Sequence, residues 1–337
     1  MMFVNTDQYS KYIRLWLIFM IILIVSIVGV GGLTRLTDSG LSITAWELFS
    51  GILPPFTSEK WNFYFNEYKQ IPEFKILNFD MTLDEFKVIF YWEWGHRILA
   101  RFIGLFSIIP LFFIFLSIKR DFFYEKKYYS IFLLICFQGF IGWFMVSSGL
   151  VDNTDVSHYR LALHLSIAFF ILSVVFWFLL ENLQIKKNKD KISISFLSIF
   201  LFFLILQIIL GAFLAGLDGG LIYNTWPDMN GKFIPTDINK IDLLKISSSN
   251  NPTVIQFYHR LVAYLIIFLL IILNYIFYYK KIPMNNINVL NIAIFVQVLL
   301  GIITLMTGVE IKYASVHQLG SIFVLLSFLF IYYKNTN

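Results

Sequence analysis

The sequence predicts an all-α integral membrane protein, with eight transmembrane helices arranged as two four-helix bundles related by a pseudo-two-fold axis. Three observations carry that prediction. Of 337 residues, 58% are hydrophobic and only 14% are charged, where a globular protein carries about a quarter charged residues. The apolar residues gather into eight runs of about twenty, the length that crosses a hydrocarbon core as a helix. A set of His, Trp, Asp, Pro and Gly residues then recurs, in order, in the second half of the chain. The first two observations exclude a soluble enzyme, a disordered chain and a nucleic-acid-binding protein. The single cysteine, Cys136, excludes an internal disulfide and a cysteine cluster for a metal.

Helices are required because lipid offers backbone groups no partner, and these runs are twice the length of a barrel strand. The first span, 13–32, follows a short tail with Lys11 and Arg14 at its border. No small-residue cleavage site follows it, so it reads as retained rather than as a signal peptide. A long loop, 33–87, leads to the second span, 88–118, which exits into Lys119, Arg120, Lys126 and Lys127. Spans three (128–150) and four (161–180) are joined through a segment whose one basic residue is Arg160, and Lys186, Lys187, Lys189 and Lys191 follow. Span five (194–217) opens into the second long loop, 218–253, and span six (254–279) ends on Lys280 and Lys281. Spans seven (289–309) and eight (313–333) meet at Lys312, and Lys334 follows the last. The positive-inside rule therefore puts both termini in the cytoplasm. The two long loops, rich in Trp, Tyr, Pro and Asp, would cap the periplasmic side. With no Arg-rich transit segment ahead of span one, the expected location is a bacterial inner membrane.

The repeat fixes the architecture. Asp38, Trp46, Gly51 and Pro55 recur as Asp218, Trp226, Gly231 and Pro235, at an offset of 180. His96-Arg97 recurs as His259-Arg260 at 163, and Gln138, Gly142 and Gly149 recur as Gln297, Gly301 and Gly308 at 159. His164 recurs as His317 at 153. The order never breaks, and the shrinking offset means shorter loops in the second copy. Residues 1–190 and 191–337 are thus expected to form two equivalent halves, both starting in the cytoplasm.

Four of the five histidines, His96, His164, His259 and His317, fall at repeat-matched positions in the first turns of even-numbered spans. An ionisable group inside a span is costly and points to function. Two opposed histidines in a four-helix bundle suit both axial positions of a haem iron, and each half offers one such pair. Zinc would want a third or fourth ligand, and none recurs beside the pairs. A lone histidine here reads as readily as an interfacial residue bonded to its neighbours; two repeat-related pairs favour ligands. His158 has no repeat partner and reads as a loop residue. The halves differ at one position of interest: Glu93 shares a helix face with His96 and Arg97, where the second half has Gln256. A carboxylate beside a haem edge suits a proton acceptor or a group that steers developing charge, though the spacing equally suits a simple pair with Arg97. Arg97, Arg101 and Arg260 lie where haem propionates, or lipid phosphates, would reach the interface.

The strings GGLTRLTDSGLSITAW, EWGHR, YRLALH, GAFLAGLDGGLIYNTWP, QFYHR and VHQLG resemble the haem A synthase family, and in particular its alphaproteobacterial and mitochondrial group. The resemblance runs in register from about residue 12 to 333. It implies an eight-helix oxidoreductase that converts haem O to haem A, a ring methyl becoming a formyl group, for cytochrome oxidase. It also implies a resident haem b on His259 and His317 with Arg260 nearby. Substrate haem O would then lie between His96 and His164, near Arg97 and Arg101, and Glu93 would match the family's required glutamate. The haem O synthase, oxidase assembly factors and the lipid bilayer are the implied partners, and a homo-oligomer is compatible with the pattern. The cysteine pair that some bacterial members carry in each long loop is absent, which excludes a thiol-based step there. Two other readings of the residues stay open: a diheme b-type electron-transfer protein, and a haem chaperone or transporter without chemistry.

Overall fold

The computed structural model describes residues 6–46, 50–116, 122–151, 153–189, 191–235, 238 and 245–336; Lys119 and Arg120, used above for orientation, lie outside them. Among the described residues the α-helices are α1 (Thr6–Leu36), α2 (Ser58–Tyr68), α3 (Pro72–Ile76), α4 (Leu83–Leu116), α5 (Phe122–Val146), α6 (His158–Asn182), α7 (Ile194–Gly216), α8 (Pro252–Tyr279), α9 (Asn285–Met306) and α10 (Ile311–Asn335). All but α2 and α3 are long and apolar enough to cross a membrane, eight in number, as hydropathy predicts. The chain is a multi-pass, all-helical membrane protein.

The helix ends depart from the apolar runs for local reasons. Helix α4 starts five residues before its predicted span, at Leu83, because Thr82 and Glu85 close a capping box. The Glu85 carboxylate accepts from the Thr82 N–H at 2.8 Å and from its hydroxyl at 2.8 Å, which satisfies donors that a polar first turn would otherwise expose. Asn251 caps α8 in a similar way, its side chain accepting from Thr253 and Val254 N–H groups. His158, expected in a loop, is instead the first residue of α6, its ring packed on that of Tyr159 at 4.0 Å.

The chain divides into two compact units, Met1–Phe178 and Leu179–Asn337. In the first, α4 packs on α1 and α5, and α6 is tied to α5 by Arg160, which donates to the Phe144 carbonyl at 2.7 Å. In the second, α7 packs on α8, α8 on α9, α9 on α10 and α10 on α7. Its apolar interior includes Leu197, Phe200, Leu273, Phe277, Leu290 and Phe328. Residues 58–76 of the long loop of the first unit form a helical cap on α4. Trp61, Phe65 and Tyr68 share one face of α2 at i, i+4 and i+7 and bury against Phe86, Ile89 and Phe90 of α4. Each such aromatic contributes about 2–3 kcal/mol by burial.

Within that cap one carboxyl is out of place. Glu73 of α3 is buried, and its Oε2 has no hydrogen-bond partner among the described residues. Burial pushes its pKa up to about 8, with the charges of Asp155, Asp38 and Glu93 adding to the rise. The folded value is thus raised above the unfolded one. Stability is therefore fully present below the unfolded pKa and is lost progressively as pH rises toward about 8. Glu73→Gln should stabilise the cap by up to about 3 kcal/mol at pH 7 and flatten its pH dependence. Hydrogen exchange of residues 58–76 between pH 5 and 9 checks this; equal pH dependence in both proteins would contradict it.

Candidate functional site

The four repeat-matched histidines share one local construction. Each ring, carried by an even-numbered crossing helix, packs against a glycine of its neighbour. A Cβ placed on Gly31 of α1 would lie 3.0 Å from His96 Cε1, and one on Gly142 of α5 would lie 3.1 Å from His164 Cε1. In the second unit, Gly211 of α7 approaches His259 at 3.3 Å and Gly301 of α9 approaches His317 at 2.9 Å. These glycines stand four or five residues before the ends of their helices, Leu36, Val146, Gly216 and Met306. Within each unit the two rings therefore lie at one depth, about a turn below the loop end. His96 and His164 are within electrostatic range of each other, as are His259 and His317.

Glutamines attend the rings. Gln138 of α5 lies 3.1 Å from His164 Nδ1 and donates to the His164 carbonyl at 3.0 Å. Its counterpart Gln297 donates to the His317 carbonyl at 2.9 Å. Gln207 of α7 approaches His259 Nε2 at 3.2 Å, whereas α1 has Ile27 at the corresponding position. The Nδ1 atoms of His96, His259 and His317 are buried without a partner. Among the described residues no group of three or more His, Cys, Asp or Glu side chains could hold a metal ion. Two imidazoles per unit, each seated where a Cβ would intrude, form a donor set of the kind that fits a haem iron, with the ring nitrogens unspent by other bonds except at Gln138 and Gln207. Gly301→Ala should displace the His317 ring and weaken any metal complex held there by about 1–3 kcal/mol. Gly95→Ala, with nothing within 4 Å of its Cβ, should not; haem content of the purified variants distinguishes them.

Above the rings, one arginine in each unit clamps the long loop. Arg97 donates to the Ile43 carbonyl at 2.8 Å and to the Ala45 carbonyl at 3.0 Å. Arg260 donates to the Tyr223 carbonyl at 3.0 Å and to the Thr225 carbonyl at 2.9 Å. These are the same loop positions, 180 residues apart. The residue one turn earlier completes each clamp with opposite polarity. Glu93 accepts from Ser42 Oγ at 2.7 Å, from the Ile43 N–H at 2.8 Å, and from Arg97 at 2.6 and 3.0 Å. Gln256 donates to the Gly219 and Tyr223 carbonyls at 2.9 and 3.2 Å and accepts from Arg260 at 3.3 Å. Glu93 is thus no exposed helix-start residue; it is 3% exposed, in an ion pair with Arg97, and meets four donors.

Several expectations change accordingly. Arg97 and Arg260 spend four guanidinium N–H groups each on the clamp, which leaves few donors for a propionate. Arg101 lines a cleft with Trp94 and Arg97. His96 lies nearly four turns into α4 rather than in its first turns, because the capping box extends that helix. Asp38, a repeat-matched residue of the first loop, is exposed, paired with Arg35 at 2.8 Å and left-handed at φ 47°, as is Asp218 at 48°; both serve to end a helix. Gly31, Gly211, Gln207 and Ser42 went unread in the sequence, although the two glycines obey the 180-residue offset.

Eight crossing helices, with two repeat-matched pairs of half-buried histidines seated on glycines, define a multi-pass, all-helical membrane protein that carries imidazoles inside its crossings. The chain belongs to the COX15-CtaA family of cytochrome oxidase assembly proteins, whose family model matches residues 14–329. A heme A synthase of Pelagibacter ubique (strain HTCC1062) is 60% identical over 336 residues, 100% of each chain. A heme A synthase of Rickettsia rickettsii (strain Sheila Smith) is 42% identical over 89% of this chain and 91% of its own. One from Flavobacterium johnsoniae is 38% identical over 94% and 95%.

Proposed function

We propose that this chain is a haem A synthase, which oxidises a ring methyl of haem O to a formyl group and so supplies haem A to cytochrome oxidase. The observation that carries the reading is the asymmetry between otherwise matching sites. Both units seat a histidine pair on glycines, yet only the first places a buried carboxylate, Glu93, one turn above a ligand. The relatives' names and full-length similarity support it.

In this reading His259 and His317, with Arg260 above them, hold a resident haem b. That group supplies one-electron redox chemistry when bound. His96 and His164 hold the substrate haem O, with Arg97 and Arg101 at its propionate edge. Glu93 takes the role of proton acceptor or electrostatic guide, its orientation fixed by Ser42, Ile43 and Arg97. Gly31 and Gly142 let the substrate-side imidazoles sit against the neighbouring helices. Both termini face the cytoplasm, and the clamped loops cover the periplasmic end of the sites. Partners are the haem O synthase and oxidase assembly factors.

Expression in cells that make haem O but no haem A separates the alternatives. Chromatography of extracted pigment should show haem A only with this chain present. An electron-transfer protein or a haem carrier would leave haem O as the sole farnesylated pigment, and that outcome would overturn the reading.

A further inference from the structure

Three of the four histidine seats carry an amide. Gln138 of α5, Gln207 of α7 and Gln297 of α9 each stand four residues before the seat glycine of their helix, Gly142, Gly211 and Gly301. That spacing puts amide and glycine on one helix face, a turn apart. The fourth helix, α1, has Ile27 four residues before Gly31. The seat of His96 is thus built on the same plan, with an apolar side chain where the others have a hydrogen-bonding group.

The amides hold their histidines in two ways. Gln138 and Gln297 donate to the main-chain carbonyls of His164 and His317 at 3.0 and 2.9 Å, which ties each ligand-bearing helix to its neighbour at the ligand itself. Gln138 and Gln207 also reach the rings, at 3.1 Å from His164 Nδ1 and 3.2 Å from His259 Nε2. The Oε1 atoms of all three glutamines are buried without a partner, as are the Nδ1 atoms of His96, His259 and His317. An imidazole that gives Nε2 to a metal keeps its proton on Nδ1, and an acceptor for that proton orients the ring and strengthens it as a ligand. Three seats have such an acceptor in hand. The His96 ring has the same unspent Nδ1, and α1 supplies it with packing on Gly31.

We infer that His96 is the releasable ligand of the four: the iron of the substrate haem opens on that side, while amides hold His164, His259 and His317. The inference rests on the reading that both pairs bind haem and that the first unit takes the substrate. A haem that must enter and leave is served by one ligand that lets go. A resident haem is served by two that do not.

Carbon monoxide, which enters a six-coordinate ferrous haem only where an axial ligand lets go, tests this without turnover. The purified full chain is reduced and titrated with carbon monoxide, first holding haem b alone and then loaded with haem O. The haem b form should stay inert, and loading should add a carbon monoxide complex in proportion to haem O. Ile27→Gln, which copies Gln207, should lower the carbon monoxide affinity of the loaded haem about tenfold, the equivalent of one hydrogen bond, whereas Ile27→Leu should not. Adding Gln138→Ile to Ile27→Gln should restore the affinity by moving release to His164. Gln207→Ile, an apolar replacement inside an apolar span, should make haem b itself bind carbon monoxide, and this arm is independent of whether Ile27→Gln folds. Inert haem O in the wild-type chain would overturn the inference, as would haem b that stays inert in Gln207→Ile. So would an unchanged affinity in folded Ile27→Gln. Loading of haem O that survives the loss of both His96 and His164 would instead remove the assignment of the substrate to the first unit.

Discussion

His259→Ala and His317→Ala are each expected to abolish the low-spin absorbance of resident haem b in the purified protein. His96→Ala and His164→Ala should leave that absorbance in place while stopping haem A formation. The effect is large because, among the described residues, no group of three or more His, Cys, Asp or Glu side chains could hold a metal ion, so a lost axial ligand has no ready substitute. Removing a ring also leaves an apolar void against Gly31, Gly142, Gly211 or Gly301, so each variant also loses the ring's packing against its neighbouring helix. A misfolding effect would fall on both haems alike, whereas loss of a ligand falls on one. Absorbance spectra and extracted-haem chromatography of the four variants decide the matter. Equal loss of haem b from variants in both units would end the division of roles.

Glu93→Gln is expected to lower conversion of haem O to haem A by a factor of about 10² to 10⁴, the usual cost of losing a positioned proton acceptor. The substitution copies Gln256, but the structure shows that the copy is not silent. Gln256 meets two carbonyls of its loop, whereas Glu93 meets the Ser42 hydroxyl and the Ile43 N–H. An amide at position 93 therefore sets donor against donor, at a cost of about 1–3 kcal/mol in the clamp. Ser42→Ala separates the two effects, since it removes one clamp bond and keeps the carboxylate. If Glu93 serves the chemistry, Ser42→Ala retains most activity and Glu93→Gln does not. Comparable losses from both, tracking the loosening of the cap by hydrogen exchange, would make Glu93 a clamp alone.

The eight crossings and their pairing were legible because the membrane imposes one element type and because the repeat fell on residues that packing alone does not select. The four ring positions were legible for the same reason. Their seats were only half so: Gly142 and Gly301 stood out beside Gln138 and Gln297, while Gly31 was hidden in a run of small residues. Of the clamp only the Glu93–Arg97 pair was legible, from its i, i+4 spacing; its hold on the loop was not. Its acceptors are main-chain carbonyls of Ile43, Ala45, Tyr223 and Thr225, which any side chain would present equally, so sequence pattern carries no trace of them. Arg97 and Arg260 consequently read as groups for a propionate or a lipid phosphate, and their hold on the loop carbonyls went unseen. Helix α4 ran longer than its apolar stretch because a capping box, not hydropathy, sets its start.

The central claim, that this chain itself performs the oxidation, is tested most directly on the purified protein. Haem O would be loaded onto protein already holding haem b, an artificial electron acceptor added, and the pigments extracted and separated over time. Haem O is expected to decline as a haem with a formyl group appears, haem b to stay constant, and Glu93→Gln under the same loading to show neither change. Recovery of all haem O unaltered from wild-type protein, with the acceptor reduced or not, would contradict it.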